Sequence, residues 1–521
     1  MLTGRDLRRL ATISCIPLAF FLLTGIAGLS FGHYWDDEVM FDKVRRALAA
    51  PPTLLPGYYD YPSVSFWQAI VPLVPEALTD RALRQRHPDT SALTRFTRTE
   101  TYRLRARGVY LATTSLALVW IAGLSLAIGG SSGEALLAAA LAASSWEISY
   151  QTRWVAPDGT MMMCAALTVY ALAAAMSAAG RAQRTWMALA TVATGFACGS
   201  KYSAWPLVIP LAIAAWRSSA DEGRWPRVTR VVKYLCGAVG MYVLTTPGTV
   251  LQPSLFLHDA AAQVLHYATG HGVHTVTPGF QHLRLMIVYL SAVLFSPWRV
   301  LSVMLAIGVV AGAWTLWRRS VSVAIVILSF PVFYVLYFSM QRVMIVRNLL
   351  VLVPFLVVLA ARGVALAIAR IPSASLRRAA VAIVVSAIAA DGGYVARSAS
   401  TIRTRSTEKM LREFSDWAAM QPAGAIGASK RVREALAASH FPALETLENE
   451  HVAYIAVSSM DEPLPRVEAN RVGTFPAQFG PRDVNLDYYP TWAGDERVLV
   501  VPVERARADG IIPAEPLKSG G

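Results

Sequence analysis

The amino-acid sequence predicts an α-helical polytopic membrane protein of about 11 transmembrane helices, followed by a small C-terminal α/β soluble domain. Three observations predict it. The 521 residues are 55% hydrophobic and only 16% charged, against roughly 25% charged in soluble domains. Apolar stretches approaching the ~20 residues needed to cross a hydrocarbon core recur from the N-terminus to the neighbourhood of residue 396. The basic residues behind the net charge of +14 flank those stretches, which suits anionic lipid headgroups and makes no case for nucleic acid.

The spans are expected over 10–31, 107–128, 133–149, 159–179, 186–200, 203–217, 231–251, 299–317, 320–339, 348–369 and 378–396. The first follows RDLRR (5–9) and has no convincing small-residue cleavage site, so it reads as an anchor. Cytoplasmic loops are enriched in Lys and Arg. With the N-terminus inside, GRAQR (180–184), RSSADEGRWPRVTR (217–230), WRRS (317–320) and RIPSASLRR (370–378) all face inward. The outward segments are then 32–106, 150–158, the neighbourhood of 201, 252–298, 340–347 and the tail. Counting LMIVYLSAVLF (285–295) as a span would invert every later basic loop, so it is placed in the outer interface. The arginine-rich stretch from Arg81 to Arg107 breaks the charge rule, which long loops tolerate. It reads either as a solvated helix face or as a surface gathering lipid phosphate. Cys15, Cys164, Cys198 and Cys236 lie in or beside apolar stretches, form no CxxC pair and read as small apolar residues.

Residues 1–398 thus form a membrane module with a first extracytoplasmic loop at 32–106, and 399–521 an extracytoplasmic domain. In that domain Met410, Leu411, Phe414, Trp417 and Ala418 share one helical face, while AYIAVSS (453–459) and RVLVVPV (497–503) read as buried strands. No catalytic motif stands out there.

Chemistry concentrates at the outer mouths of the spans. HYWDDEVMF (33–41) places Asp36, Asp37 and Glu38 at the first membrane exit. DDEVMFDKVRRAL reads as a helix along the interface, with Met40, Val44, Ala47 and Leu48 on one face. Asp36 would cap it and the next two acids would meet the positive end of its dipole. Capping alone does not explain three acids beside an anionic bilayer surface. PGYYDYPSVSFW (56–67) sets Asp60 among Tyr58, Tyr59, Tyr61 and Trp67. RWVAPDG carries Asp158, GFACGSKYSAWP carries Lys201, and QRVMIVRN carries Arg342 and Arg347. Charges at membrane depth are costly and default to function; together these describe a polar cavity at the outer interface. His258, His266, His271, His274 and His282 cluster between 258 and 282, but H-x4-H-x2-H over 266–274 matches no strong zinc pattern.

The series WDDEVMF, YYDYPSVSFW, RWVAPDG, GFACGSKYSAWPLVIP, the GHG of HYATGHGVH and RNLLVLVPF, in order over about 10–370, resembles the GT-C glycosyltransferases. The resemblance is nearest to the protein O-mannosyltransferase and lipid A aminoarabinose transferase group. It implies an integral-membrane glycosyltransferase moving a sugar from a polyprenyl-phosphate donor to an extracytoplasmic glycolipid, polysaccharide or protein; direct displacement at the anomeric carbon would make the transfer inverting, and the outward placement of the charged loops suggests the periplasmic face of a bacterial inner membrane. It implies Asp37 as catalytic base beside Glu38, with Asp36 as an alternative in a one-residue shift. Lys201, Arg342, Arg347 and His271 would hold the donor phosphate, and Asp36, Tyr59, Asp60, Tyr61 and Asp158 would contact substrate. The aminoarabinose enzymes carry a lysine followed by two prolines where this chain has Tyr61, Pro62 and Ser63, which shifts the phosphate role to the other cations. No cofactor is required by the resemblance; a divalent cation on Asp36, Asp37 and Asp158 stays open. Two other classes compete: a transporter or flippase for a lipid-linked substrate, for which repeated halves would be expected, and a non-catalytic lipid-binding scaffold of an envelope complex.

Overall fold

The computed structural model describes residues 4–30, 35–49, 52–79, 91–218, 223–270, 274–404, 407–438, 441–447, 452–458, 473–476, 497–508 and 512. It divides into two compact units, one built chiefly from Met1–Ile26 and Asp36–Ala396, the other chiefly from the chain after Arg397.

The first unit is helical. After α1 (Gly4–Ala27) the first loop carries α2 (Trp35–Leu48), α3 (Val64–Ile70), α4 (Val74–Thr79) and α5 (Ser91–Phe96). There follow α6 (Glu100–Ala127), α7 (Ser132–Ser144), α8 (Trp146–Gln151), α9 (Pro157–Met176) and α10 (Gly180–Ser200). A 3-10 turn, Tyr202–Leu207, leads into α11 (Val208–Arg217), then α12 (Arg224–Thr245), α13 (Gly248–Leu251), α14 (Pro253–Thr269) and α15 (Phe280–Ala292). The unit closes with α16 (Arg299–Arg319), α17 (Val321–Ser339), a 3-10 segment Val346–Leu352 running into α18 (Val353–Ala369), and α19 (Ala374–Thr404).

Each of the eleven expected spans falls on helix. Eight are long and apolar enough to cross a membrane by length and composition: α1, α6, α9, α12, α16, α17, Val346–Ala369 and α19. The other three fall short for physical reasons: α7 has 13 residues, α11 has 10, and α10 begins with Arg181 and Arg184. The protein is a multi-pass membrane protein. Apolar side chains such as Trp225, Val300 and Ile383 remain exposed on α12, α16 and α19, as lipid-facing surfaces require. Residues 285–292 of the 285–295 stretch belong to α15, whose 13 residues are too few to span. Helix α9 lies at the centre of the bundle, packed on α6 and α10. Helices α16 and α18 approach through Gly308, Gly312 and Gly363; a β-carbon at Gly312 would come within 2.0 Å of the Leu359 carbonyl oxygen. That is the small-residue packing by which apolar helices associate in lipid.

Two expectations about α2 need correction. The helix begins at Trp35, so Asp36 lies inside its first turn and does not cap it. Its apolar face is not spread along the interface. Met40, Phe41, Val44 and Ala47 are buried with Phe66, Ala69 and Leu73 and with Tyr102, Ala106 and Tyr110 of α6. The first loop folds back over the start of α6 because that helix begins seven residues before the expected span and supplies an apolar face to cover.

In the second unit α20 (Thr407–Ala419) and α21 (Lys430–Ala438) accompany a five-stranded sheet. Its strands are β1 (Ile426–Ala428), β2 (Glu445–Thr446), β3 (Tyr454–Ser458), β4 (Gly473–Pro476) and β5 (Arg497–Pro502), in the order β2-β1-β3-β5-β4. β1 pairs in parallel with β2 and β3, and β5 is antiparallel to both β3 and β4. The expected strands are β3 and β5. The expected helical face buries Met410, Leu411 and Phe414, and Trp417 stacks on Phe414.

Candidate functional site

Three acid–cation groups form around the first loop and the helix ends near it, and two of them hang on one segment, Arg153–Asp158, which runs from the end of α8 into the first turn of α9. Asp37, in the first turn of α2, is fully buried. Its Oδ2 accepts from Arg107 Nε at 2.9 Å and Nη2 at 2.6 Å, and its Oδ1 accepts from the Val155 backbone N–H at 2.7 Å. Three residues on, Asp158 sits in the first turn of α9, opened by Pro157 at a position where the missing N–H costs nothing. Its Oδ1 accepts from Lys201 Nζ at 2.6 Å, and its Oδ2 lies 3.6 Å from Arg347 Nε. Lys201 ends α10 in extended conformation and also donates to the Asn348 amide oxygen. Asn348 in turn donates to Tyr267, and its carbonyl accepts from Tyr334 Oη at 2.7 Å. Val155 and Asp158 are at most about 11 Å apart along the chain, so the Asp37 carboxylate and the Lys201 ammonium are anchored to neighbouring points.

The third group belongs to the first loop. Lys43 of α2, fully buried, donates to Asp60 Oδ1. Asp60 also accepts from Tyr58 Oη at 3.1 Å and from the Tyr61 N–H at 2.7 Å. The Tyr61 ring joins this group to the second: Lys43 Nζ lies 5.5 Å and Lys201 Nζ 5.8 Å from its centroid, both cation–π distances. Tyr59 is buried, donating its hydroxyl to Gln252 and its N–H to Asp259 at 2.7 Å each. Its carbonyl accepts from Tyr202, next to Lys201. The loop tip is therefore tied to the α10–α11 junction.

Electrostatics follow from burial. Loss of solvent pushes the Asp37 carboxyl above the ordinary carboxylate range, with Arg107 and the Val155 N–H pulling it back. Burial likewise lowers Lys43, and Asp60 opposes that. A carboxylate so placed is a stronger base than one in water, and cations already desolvated interact strongly with an incoming anion.

The remaining expected site residues are placed as follows. Glu38 receives Arg45 at 2.9 Å, on α2 itself. Arg342 is exposed, its backbone bonded to Tyr267 and Val276. His271 and the side chain of Asp36 lie outside the described residues. Of the described part of the arginine stretch, Arg103 pairs with Glu100, Arg105 with Glu76 and Arg107 with Asp37, while Arg95 donates to Ser91. That favours neither of the two surface readings. Asp37 and Asp158 are each taken by a cationic side chain, and no cluster of three or more His, Cys, Asp or Glu forms among the described residues.

Sequence reasoning missed Arg107 as the partner of Asp37, and it missed Lys43 and Asn348. The signal for Lys43 was present: it stands three residues after Met40 and four before Ala47, a charge on the apolar stripe of α2. No local signal marks Asn348.

Residues 103–249, which include Arg107, Asp158 and Lys201, match the family model for dolichyl-phosphate-mannose-protein mannosyltransferase. No curated protein sequence matches the chain. Among solved structures, the chain is similar to ArnT from Cupriavidus metallidurans bound to undecaprenyl phosphate. The TM-score is 0.52 at 15% identity, covering 95% of this chain and 97% of that one. The apo state of the same ArnT matches with TM-score 0.51 at 15% identity, over 95% and 98% of the two chains. Identity this low establishes likeness of fold.

Proposed function

We propose that this chain, GT-C and ArnT-like in fold, is a membrane glycosyltransferase that moves a sugar from a polyprenyl-phosphate donor to an extracytoplasmic acceptor: a glycolipid, a polysaccharide or a protein. The observation that supports it most is the attachment of a buried carboxylate and a buried lysine to one short segment, Val155 to Asp158. The ArnT relative whose fold it shares holds undecaprenyl phosphate.

In this reading Asp37 takes the proton of an acceptor hydroxyl as its oxygen attacks the anomeric carbon. The bond from that carbon to the phosphate oxygen breaks, and polyprenyl phosphate leaves with the electron pair, inverting the centre. General-base catalysis of this kind typically contributes about 10²–10⁴-fold. Lys201 and Arg347 offset the charge on the departing phosphate, exchanging Asp158 for it, and Arg342 lies on the segment that leads to them. Preorganised cations in a water-poor site contribute several kcal/mol. Asp60, Tyr59 and Tyr61 shape the sugar side. Asp37 exchanges Arg107 for the acceptor hydroxyl when substrate enters.

One observation favours a second reading, in which Asp60 is the base: its side chain is 17% exposed while that of Asp37 is fully covered. Purified protein with a polyprenyl-phosphate sugar and a panel of acceptors separates the two. Asp37→Asn abolishing transfer while Asp60→Asn chiefly raises the KM supports Asp37; the reverse pattern assigns the base to Asp60. Envelope glycan and lipid mass spectrometry with and without the protein identifies sugar and acceptor.

A further inference from the structure

At the far end of α6 from Arg107, arginines from four helices converge on a short segment. Arg9 of α1 donates to Ser132 Oγ at 3.0 and 2.7 Å, and Arg319 of α16 donates to the Gly129 carbonyl at 2.8 Å. Arg362 of α18 reaches the Ile128 carbonyl, and Arg377 of α19 lines one cavity with Ser131 and Glu134. Gly129 is built for this. It has φ +82°, and a β-carbon there would lie 2.4 Å from the Arg319 guanidinium. The segment ends at Ser131, which caps the 13-residue helix α7, so the positive end of a helix dipole faces the cluster. Arg362 is attracted to Glu134 and repelled by Arg319.

The bland account is that basic loops collect on one side of a membrane and their side chains reach for water. Arg362 does not fit it. The residue is only 7% exposed, and its Nε has no hydrogen-bond partner. A buried guanidinium with an unpartnered Nε, beside Arg319 and close to the N-terminus of α7, suits an anion.

An apolar cavity of about 860 Å³ lies between α1, α7, α18 and α19, walled by Phe20, Leu137, Ala140, Val381 and Ile388; Ser131, Glu134 and Arg377 line it, and Arg319 and Arg362 bond to the carbonyls of Gly129 and Ile128 just before Ser131. That is within the range of ligand pockets and several times the roughly 150 Å³ left by deleting one large core side chain. Along α19 it runs from Arg377 to Ala396, about 28 Å at the helical rise, comparable to the hydrocarbon thickness. A free phosphate would satisfy the arginines and leave the groove empty. A hydrocarbon would do the converse.

We propose that this is a binding site for an anionic membrane phospholipid, the phosphate held by Arg319, Arg362 and Arg377 and an acyl chain lying in the groove. It is separate from the Asp37–Arg107 site, at about 30 Å along α6. The full-length protein is exchanged from nanodiscs of phosphatidylglycerol and phosphatidylcholine into detergent, and native mass spectrometry counts the lipid retained. The expected result is one phosphatidylglycerol per chain. Arg319→Gln and Arg377→Gln each weaken retention about fivefold, and Ala140→Trp, which fills the groove and leaves every arginine intact, abolishes it. Arg377 is exposed, so its variant tests the site without disturbing the core. Its thermal midpoint matches the wild type without phosphatidylglycerol and fails to rise with it. Equal retention of phosphatidylcholine, unchanged retention in the three variants, or polyprenyl phosphate displacing phosphatidylglycerol at equal concentration overturns the proposal. So does inorganic phosphate occupying the arginines with no lipid retained.

Discussion

Asp37 carries the heaviest claim at the level of single residues. Burial raises its pKa, and a base works in its deprotonated form. The rate therefore falls as pH drops through a value above the ~4 of a free carboxylate, and kcat/KM measured between pH 4 and 8 should show that acid limb. Asp37→Asn should cost at least about 10²-fold in kcat with the protein still folded. Lys201 makes a different prediction. Its loss leaves Asp158 buried without its closest cation, a cost of about 3–5 kcal/mol, so Lys201→Ala should lower both stability and donor affinity. Lys201→Met combined with Asp158→Leu should recover the thermal midpoint and not the activity; recovery of both would show the pair to be structural. These acids and Lys201 were legible as residues at membrane exits. Their partners were not. Asp37 and Arg107 lie 70 positions apart, and nothing local says which arginine of a long stretch will fold onto which acid.

Among the elements, α8 holds a buried group that the proposed chemistry leaves aside. Glu147 is wholly buried and accepts from Tyr289 at 2.7 Å. Tyr289→Phe removes that donor and leaves the carboxyl buried without it, a cost of about 1–3 kcal/mol. The thermal midpoint in detergent should fall in that variant; an unchanged midpoint would show that the bond adds nothing to stability. The elements themselves were largely readable, because apolar length and the period of 3.6 report directly on helices such as α9 and α17. The burial of α2 was not readable. Its stripe of Met40, Val44 and Ala47 fits a lipid interface and a protein core equally well, and only Lys43 on that stripe hinted at a buried polar partner.

For the whole molecule, we propose an orientation from the basic loops at 180–184, 217–230, 317–320 and 370–378: a cytoplasmic N-terminus and, if all eleven expected spans cross, a C-terminal domain outside. A periplasmic-type reporter fused after residue 521 should be active and a cytoplasmic one silent; the opposite pattern would put the proposed site on the wrong face for an extracytoplasmic acceptor. Fold class was readable at this scale because scarcity of charge over 521 residues leaves few alternatives to lipid. The order of the sheet was not, since pairing β1 with β3 and β5 with β4 depends on contacts distant in sequence. The most direct test of the central claim is transfer from a polyprenyl-phosphate sugar by the purified protein in a lipid bilayer, wild type beside Asp37→Asn and Lys201→Ala. The account predicts transfer by the wild type, none above background with Asp37→Asn, and a raised donor KM with Lys201→Ala. Full turnover by Asp37→Asn together with an unchanged donor KM for Lys201→Ala would contradict it.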